Sequence, residues 1–279
     1  GVRGRRMRHM VSERKEMSNM KITMAHGSGG KDSAVLMENI FGKYFGNPVL
    51  NQLDDAAVLD MAGIPSGAKL ACSTDTFVVT PVVFPGGNIG KLAVCGTVND
   101  LLMMGADPKY LTCGFVLQEG LEISLLEEVV KPMAETAKEA GVMIIAGDTK
   151  VVEGKGELFI NTAGIGIIPP GREIHAPACE EGDVILLSGT LGDHHACILG
   201  ARMEIQNPIQ SDCACLSDIT DALLQNGIRV KAMRDVTRGG LATILNEFSK
   251  SAGLSIEIKE DSVPVSEPVR GFCDLLGLE

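Results

Sequence analysis

The sequence contains no run of about 18 apolar residues, the length that a membrane-spanning helix needs, so we expect no segment to cross a membrane. Basic residues are also scarce: 25 Lys and Arg stand against 36 Asp and Glu, for a net charge of −11. Residues 1–20 depart from this balance, because six Lys or Arg face two Glu there, a local +4 that leaves −15 for the rest. Such an acidic body argues against a nucleic-acid-binding surface.

The basic N-terminal stretch, residues 1–20, also lacks the apolar core of a secretory signal. We interpret it as a disordered extension or a cloning remnant and leave it out of the fold.

Closely spaced cysteine pairs of the usual zinc type are missing as well. The eight cysteines are scattered along the chain, mostly inside apolar runs such as "KLACST". Cys213 and Cys215, together with His194 and His195, form a weak candidate zinc site, because C-x-C is not the common C-x2-C spacing. Buried free thiols in a reducing cytoplasm are the expected alternative.

Apolar patterns predict an α/β fold with mixed sheets and two domains, which suits the chain's 279 residues. Helices are predicted over residues 33–45, 88–106 and 124–141, and again over 195–203, 217–227, 238–253 and 268–277. The strand candidates are "KLACST", "YLTCGFVLQ", "VMIIAG", "LFINTAGIGII" and "LSIEIK". Prolines and mixed charge interrupt the pattern at 169–182, which we interpret as a linker between domains 21–168 and 183–279.

A glycine-rich stretch near the start, "MAHGSGGKDS", invites comparison with a phosphate-binding loop. The pattern G-x-x-x-x-G-K-[ST] requires glycine at position 25 and a hydroxyl residue at 32, where this chain has Ala25 and Asp32. The match fails, so the stretch is predicted to be a mobile lid that closes on a nucleotide, a role that glycine-rich backbone suits.

Aspartates occur where predicted strands end. Asp54 and Asp55 precede one apolar run, while Asp75 and Asp148 follow two others. Asp100 lies inside a helix that is predicted to be buried, where an unpaired carboxylate is energetically unfavourable. Turn and cap positions also favour aspartate, but several carboxylates at one point fit hard cations that hold a polyphosphate.

Cations that could balance phosphate oxygens accompany these carboxylates. Lys91 falls in the first turn of a predicted helix, and Lys150 follows Asp148 closely. In "RDVTRGGLA", Thr237 is predicted as the N-cap of a helix. The residues after it, Arg238, Gly239 and Gly240, would form an anion-binding helix start.

Longer stretches carry a resemblance to a known family. "AHGSGGK", "STDTFVV", "PGGNIGKLAVCGTVNDLLMMGADPKYLTCGF", "AGDTKVV", "FINTAGIG", "LSGTLGDH" and "RDVTRGGLATILNEF" resemble, in order, the HypE family of hydrogenase maturation proteins. That family is part of the aminoimidazole ribonucleotide synthetase and selenophosphate synthetase superfamily. The resemblance runs from about Ile22 to the end of the sequence.

The resemblance implies a two-domain fold of the aminoimidazole ribonucleotide synthetase type, dimerising through its first domain, which binds ATP with Mg²⁺. It implies a cytoplasmic enzyme that receives a carbamoyl group from the carbamoyltransferase HypF. That group is dehydrated with ATP to a thiocyanate, and the cyanide passes to a HypC–HypD complex. The residues expected to bind the nucleotide are His26, Ser28, Gly29, Gly30, Asp55, Asp75, Lys91, Asp148, Arg238, Gly239 and Gly240. The expected catalytic residues are Lys150 and Asp100, and the expected metal ligands are Asp55, Asp75, Asp100 and Asp148.

Family members continue past "CDLLGLE" to a reactive C-terminal cysteine. We therefore expect this chain to be a fragment without that tail, its C-terminal domain incomplete and its full reaction absent, with Cys273 part of the core. Two alternatives stay open: a non-catalytic dimeric core that docks HypF and HypC–HypD, and a sister ATP enzyme such as selenophosphate synthetase. Selenophosphate synthetases carry Cys or selenocysteine near their glycine loop, whereas the first cysteine here is Cys72.

Overall fold

A four-stranded mixed sheet forms the centre of the first half of the molecule in the computed structural model, which describes residues 20–53 and 55–278. The strand order is β1-β6-β4-β5, in which β4 and β5 run parallel and the other two pairings are antiparallel. The strands of this sheet are β1 (Lys69–Phe77), β4 (Asp107–Gln118), β5 (Met143–Val152) and β6 (Leu158–Ile168). A separate two-stranded sheet pairs β2 (Val83–Phe84) with β3 (Gly87–Asn88). The four predicted strands of the first domain are confirmed.

Helices α2 (Ile89–Met103) and α3 (Ile123–Glu139) cover one face of the sheet. Helix α2 begins where the Asn88 side chain accepts a hydrogen bond from the Lys91 amide over 2.9 Å, as N-cap residues do. Its residues are apolar nearly all round, which is typical of a helix buried on most sides. The side chains fully buried between helices and sheet include Ile89, Val94, Leu101, Leu111, Leu117, Leu126, Met133, Leu158 and Ile160.

An earlier helix, α1, packs beside β4. It begins as an α-helix (Lys31–Leu36), continues as a π-helix (Met37–Gly42) and ends in a short α-helical turn (Lys43–Phe45). The wider π-helical turn carries Phe41, whose ring centroid lies 4.8 Å from that of Phe115. Such close aromatic packing anchors the helix against the sheet.

The opposite face of the sheet has no layer over it among the described residues. Alternation along the strands turns every second side chain toward this face. Leu70 is 59% exposed there, and Val116 and Val152 are each 38% exposed. Apolar side chains thus lie open on the outer side of a sheet whose inner side is covered by helices.

The described residues of the second half form four α-helices, as predicted: α4 (Asp193–Arg202), α5 (Ser217–Gln225), α6 (Gly240–Ala252) and α7 (Glu267–Leu276). The strand predicted for "LSIEIK" is wrong in this structure, since residues 254–259 are not assigned to a strand. The backbone hydrogen bond there runs from Leu254 back to Ser249, which closes the end of α6 instead of pairing with a neighbour.

The start of α6 also differs from the prediction. Gly239, not Thr237, is the N-cap residue, and its φ of 91° lies in the left-handed region that glycine adopts readily. Gly240 donates its amide to the Thr237 carbonyl over 3.1 Å, so a tight turn separates Thr237 from the helix. The glycine pair moves the helix start by two residues, from 238 to 240.

Candidate functional site

Two predicted carboxylates meet where β1 runs beside α2. The Ser73 hydroxyl donates a hydrogen bond of 2.6 Å to Oδ2 of Asp100. Two residues along the same face of β1, Asp75 places its Oδ2 beside Gly96, 3.8 Å from where a Cβ there would lie. Because Gly96 and Asp100 are one helical turn apart, the two carboxylates face the same space.

A third carboxylate, Asp235, joins this pair from the second half of the chain. Burial raises the pKa of Asp235, and the nearby carboxylates of Asp100 and Asp75 raise it further. Negative charges that disfavour the charge of a neighbouring carboxyl are the arrangement that a divalent cation relieves. We call Asp75, Asp100 and Asp235 the acidic cluster.

Sequence reasoning missed Asp235. It selected Arg238, Gly239 and Gly240 from "RDVTRGG" for their helix-start chemistry and passed over the aspartate in the same motif. An acidic residue three positions before the arginine of a predicted phosphate-binding turn was a usable signal, because cation and anion sites adjoin where a metal bridges phosphate to protein.

Asp148 and Lys150 lie elsewhere, on the uncovered sheet face. Asp148 on β5 lies opposite Gly114 on β4. Gly114 lies opposite Asn161 on β6, and Asn161 lies opposite Thr76 on β1. Three strand spacings separate Asp148 from Thr76, roughly 14 Å. A Mg²⁺ ion holds its ligands at about 2.1 Å, so within one copy of the chain a single ion cannot touch both Asp148 and Asp75.

Asp148 and Lys150 form an ion pair, with Lys150 Nζ at 2.8 Å from Asp148 Oδ2. The hydrogen bond from Lys150 lowers the pKa of the Asp148 carboxyl, so this carboxylate stays charged. Both side chains line a pocket of about 190 Å³ with Thr76 and Asn161. The predicted acidic residues therefore form two groups on two faces of one sheet.

The glycine-rich stretch sits beside the second group. Gly27 ends a short 3₁₀ helix (Met24–Gly27), and a Cβ on it would lie 2.8 Å from Cβ of Val151, the neighbour of Lys150. Ser33 ties the turn together, accepting from the Gly29 amide over 3.0 Å and donating to the His26 carbonyl over 2.7 Å. The stretch is therefore hydrogen bonded within itself and held against β5.

Its other predicted residues are placed as follows. His26 is buried, and its Nδ1 lies 3.1 Å from the Thr23 amide, which donates to it. Ser28 donates to the Ala25 carbonyl over 2.9 Å, whereas Gly30 precedes the first turn of α1. These contacts order the loop around its own backbone and leave the outer surface of Ser28 and Gly30 exposed.

The remaining predicted residues are spread over three places. Lys91 lies in the first turn of α2 and donates to the Gly86 carbonyl over 3.2 Å. Arg238 is exposed just before α6, and Asp55 is exposed in the segment before β1. Asp54 lies outside the described residues. The structure thus unites Asp75 with Asp100, and Asp148 with Lys150 and the glycine loop, but it does not gather all of the predicted residues at one point.

The candidate zinc site does not form. Among residues 20–53 and 55–278, no group of three or more His, Cys, Asp or Glu side chains is placed to hold a metal ion. The same finding covers the acidic cluster, so a cation there would take its remaining ligands from phosphate oxygens and water. In the candidate zinc site, His194 instead has its Nδ1 at 2.8 Å from the Ser211 hydroxyl.

No helix in the described part of the chain is long and apolar enough to cross a membrane.

Comparison with known proteins relates this geometry to a family. The AIR synthase related N-terminal domain matches residues 53–168, and the corresponding C-terminal domain matches residues 180–279. The carbamoyl dehydratase HypE of Escherichia coli (strain K12) is 48% identical over 263 residues, covering 92% of this chain and 78% of that protein. The chain belongs to the HypE family.

Solved structures agree with this assignment. The crystal structure of a hydrogenase maturation protein HypE in complex with ATP is similar at a TM-score of 0.86 and 45% identity, covering 92% of this chain and 76% of that one. The HypE chain of a HypE–HypF complex matches at a TM-score of 0.72 and 45% identity, covering 88% and 79%. The two-domain α/β fold of the AIR synthase related proteins, predicted from the sequence, is confirmed.

Proposed function

We propose that this chain binds ATP with Mg²⁺ and uses it to dehydrate an S-carbamoyl group on a protein cysteine to a thiocyanate. The observation that carries the proposal is the acidic cluster in a chain 48% identical to a protein named carbamoyl dehydratase. A similar HypE structure contains ATP, which supports the nucleotide part. The product would supply the cyanide ligands of [NiFe] hydrogenase.

The donor set fits a magnesium ion. Mg²⁺ is commonly held by one or two carboxylates together with phosphate oxygens and water, and the acidic cluster offers Asp75 and Asp100 side by side. The raised pKa of Asp235 reflects, after burial, the negative charge that accumulates there. When bound, the ion would neutralise charge on the transferring phosphate. Asp55 and Asp148, the other predicted ligands, lie apart from these residues.

Lysines would share the work of charge neutralisation. Lys150 stands beside the glycine loop, and Lys91 stands at the start of α2, where helix amides favour anions. Phosphoryl transfer depends chiefly on position and electrostatics, so Lys91, at the start of α2, would help to orient a triphosphate bound at the acidic cluster. Lys150 lies on the other face of the sheet and would reach that triphosphate only if the cluster came from a second copy of the chain. Arg238, Gly239 and Gly240 offer a further anion site at the start of α6.

The chemistry balances in two steps. An amide oxygen leaves poorly until it is phosphorylated, so the carbamoyl oxygen first attacks the γ-phosphorus and ADP departs. Loss of the two N–H protons then forms the C≡N bond and expels phosphate, which carries away the former carbamoyl oxygen. Charged side chains around the phosphate favour both steps because negative charge builds up there.

Calorimetric titration with Mg-ATP tests the nucleotide site. We expect Asp100→Asn to weaken binding by about 1 to 3 kcal/mol, the range for contacts made to charged groups. Asp221→Asn, on the exposed side of α5, is the matched control and should bind as the parent does. Equal affinity of the Asp100→Asn variant and the parent would remove Asp100 from the site.

A peptide that carries S-carbamoyl cysteine supplies the thiol that the expected C-terminal tail would carry, and so tests the chemistry without that tail. We expect ATP-dependent release of phosphate and a peptide lighter by one water molecule, with both signals lost in Asp100→Asn and kept in Asp221→Asn. Binding of Mg-ATP without any change in the peptide would favour the non-catalytic docking core. Phosphate transfer to selenide or thiamine phosphate instead would favour a sister enzyme.

We also infer that two copies of the chain associate through the uncovered sheet face. Exposed apolar side chains on an otherwise complete sheet need a partner surface, and identical faces pair about a two-fold axis. Sedimentation should show a dimer at micromolar concentration, and Val116→Glu should shift it to monomer while Leu275→Glu, exposed on α7, should not. A monomeric parent would contradict this inference.

Partners follow from the same proposal. A HypE relative has been crystallised with HypF, and we propose HypF as the carbamoyl donor of this chain and a HypC–HypD complex as the acceptor of cyanide. The eight free thiols of the chain support a reducing, cytoplasmic location for these encounters.

A further inference from the structure

A segment of the second half of the chain lies lengthwise along helix α2. At one end the Ser211 amide donates to the Pro85 carbonyl over 2.9 Å, just before the helix. At the other end the Asn99 side chain donates to the Ala214 carbonyl over 3.0 Å and accepts from the Leu216 amide over 2.9 Å. Residues 211–216, which we call the clamped segment, are thus held at both ends.

Two cysteines face each other between these anchors. Cys95 lies one helical turn before Asn99 and so belongs to the same row of side chains on α2. Cys213 lies between Ser211 and Ala214 on the clamped segment, close enough to Cys95 that each thiol shifts the pKa of the other. The fold therefore brings close together two thiols that are 118 positions apart in the sequence, 213 minus 95.

The two thiols differ in reactivity. Cys95 is 2% exposed, whereas Cys213 is partly exposed. The Cys95 thiol lowers the pKa of Cys213, burial opposes that shift, and the positive charge of Lys91 lowers the pKa further. The pKa of Cys95 is raised by the Cys213 thiol and by burial. Cys213 is the nucleophile of the pair, because the thiolate is the reactive form.

We propose that Cys95 and Cys213 are a redox modification site, at which a peroxide forms a reversible disulfide that ties the clamped segment to α2. First the Cys213 thiolate attacks hydrogen peroxide: an S–O bond forms, the O–O bond breaks and hydroxide leaves. Cys95 then attacks the Cys213 sulfur: the S–S bond forms, the S–O bond breaks and a second hydroxide leaves as water with the Cys95 proton. The two sulfurs lose two electrons and the peroxide gains them, and a dithiol reverses the change by exchange.

Other cysteines are less suited to this reaction. Cys215 lies two residues from Cys213 on one extended segment, with its sulfur 3.0 Å from the Ser217 hydroxyl. Cys113 is buried, and burial raises the pKa of its thiol; no neighbouring thiol contributes to that shift, so Cys113 has no partner for a disulfide among the described residues. Cys72 is exposed on β1 and serves as the matched control thiol.

The experiment treats the reduced chain with an equimolar amount of hydrogen peroxide, alkylates the remaining thiols in denaturant and identifies linked peptides by mass spectrometry. We expect two of the eight thiols to disappear, a linked peptide that joins Cys95 to Cys213, and full recovery after dithiothreitol. Cys72→Ser should lose two of its seven thiols in the same way. Cys213→Ser should keep all seven at this dose.

Three results would overturn the proposal. One is a dominant link between Cys213 and Cys215, and another is oxidation of Cys213 to sulfinic acid with no link. The third is equal loss of thiols from Cys213→Ser and the parent. Because Cys95 is buried, Cys95→Ala could unfold the chain, so the test rests on Cys213→Ser and on the linked peptide of the parent. The same treatment in denaturant should scramble the links, since only the folded chain brings the pair together.

Discussion

Removal of one hydroxyl tests how the acidic cluster is held. Ser73→Ala deletes the donor of the 2.6 Å hydrogen bond to Asp100. A hydrogen bond to a charged group contributes about 1.5 to 3 kcal/mol when buried. Asp100 is only half-buried, so water replaces part of the contact, and we expect the free energy of unfolding to fall by about 1 to 2 kcal/mol. The chain has no tryptophan, so urea unfolding is best followed by far-ultraviolet circular dichroism.

A double-mutant cycle isolates this hydrogen bond from other effects. Asp100→Ala, which removes the acceptor, and the combined variant complete the cycle, and the coupling between the two positions should be about 1 kcal/mol. Ser73→Thr keeps a hydroxyl and suits a strand, so it should restore most of the loss. Strictly additive single effects, or a Ser73→Thr variant no better than Ser73→Ala, would refute the reasoning.

Three further outcomes are expected. Gly90→Ala should lower the free energy of unfolding by about 1 to 3 kcal/mol in urea titration, because its Cβ would lie 2.5 Å from the Val129 carbonyl oxygen of α3. Asp235→Asn should stabilise the chain at neutral pH but not near pH 4. Because the folded-state pKa of Asp235 is raised, the parent loses stability as pH rises above the ordinary value of 3.8. Thermal melts of both proteins across that pH range measure the difference in stability. Lys150→Ala should change stability by less than about 0.5 kcal/mol, since its pair with Asp148 is exposed, yet weaken Mg-ATP binding in calorimetry; full affinity would exclude Lys150 from the site.

Local features of the fold could be predicted from the sequence. Helix α2 was expected over 88–106 and spans Ile89–Met103, with Asn88 capping it, because cap chemistry and apolar content act within a few residues. The strands of the first sheet were likewise visible as apolar runs. The predicted helix start at Thr237 was wrong, because the left-handed backbone of Gly239 and Gly240 places the start of α6 after them.

The arrangement of the candidate site depended on longer-range geometry. Asp75 and Asp148 both follow apolar runs, but whether their side chains share a face depends on strand order and register, which the sequence does not display. Asp235 escaped attention because it meets Asp100 only after the second half of the chain packs against α2. The sequence therefore predicted candidate site residues, but not which of them lie together in the fold.

The position of β5 at the rim of its sheet gives Asp148 and Lys150 a second consequence, for solubility. An edge strand exposes unpaired backbone groups that can recruit a strand from another molecule, and charged side chains on such a strand discourage that pairing. Among the described residues β5 has a strand neighbour on one side only. The glycine loop lies against it at Val151, and the charges of Asp148 and Lys150 lie just before that contact. Neutralising both residues would leave an uncharged edge strand. We therefore expect a double substitution to lower the solubility of the chain during expression, before any loss of nucleotide binding is measured.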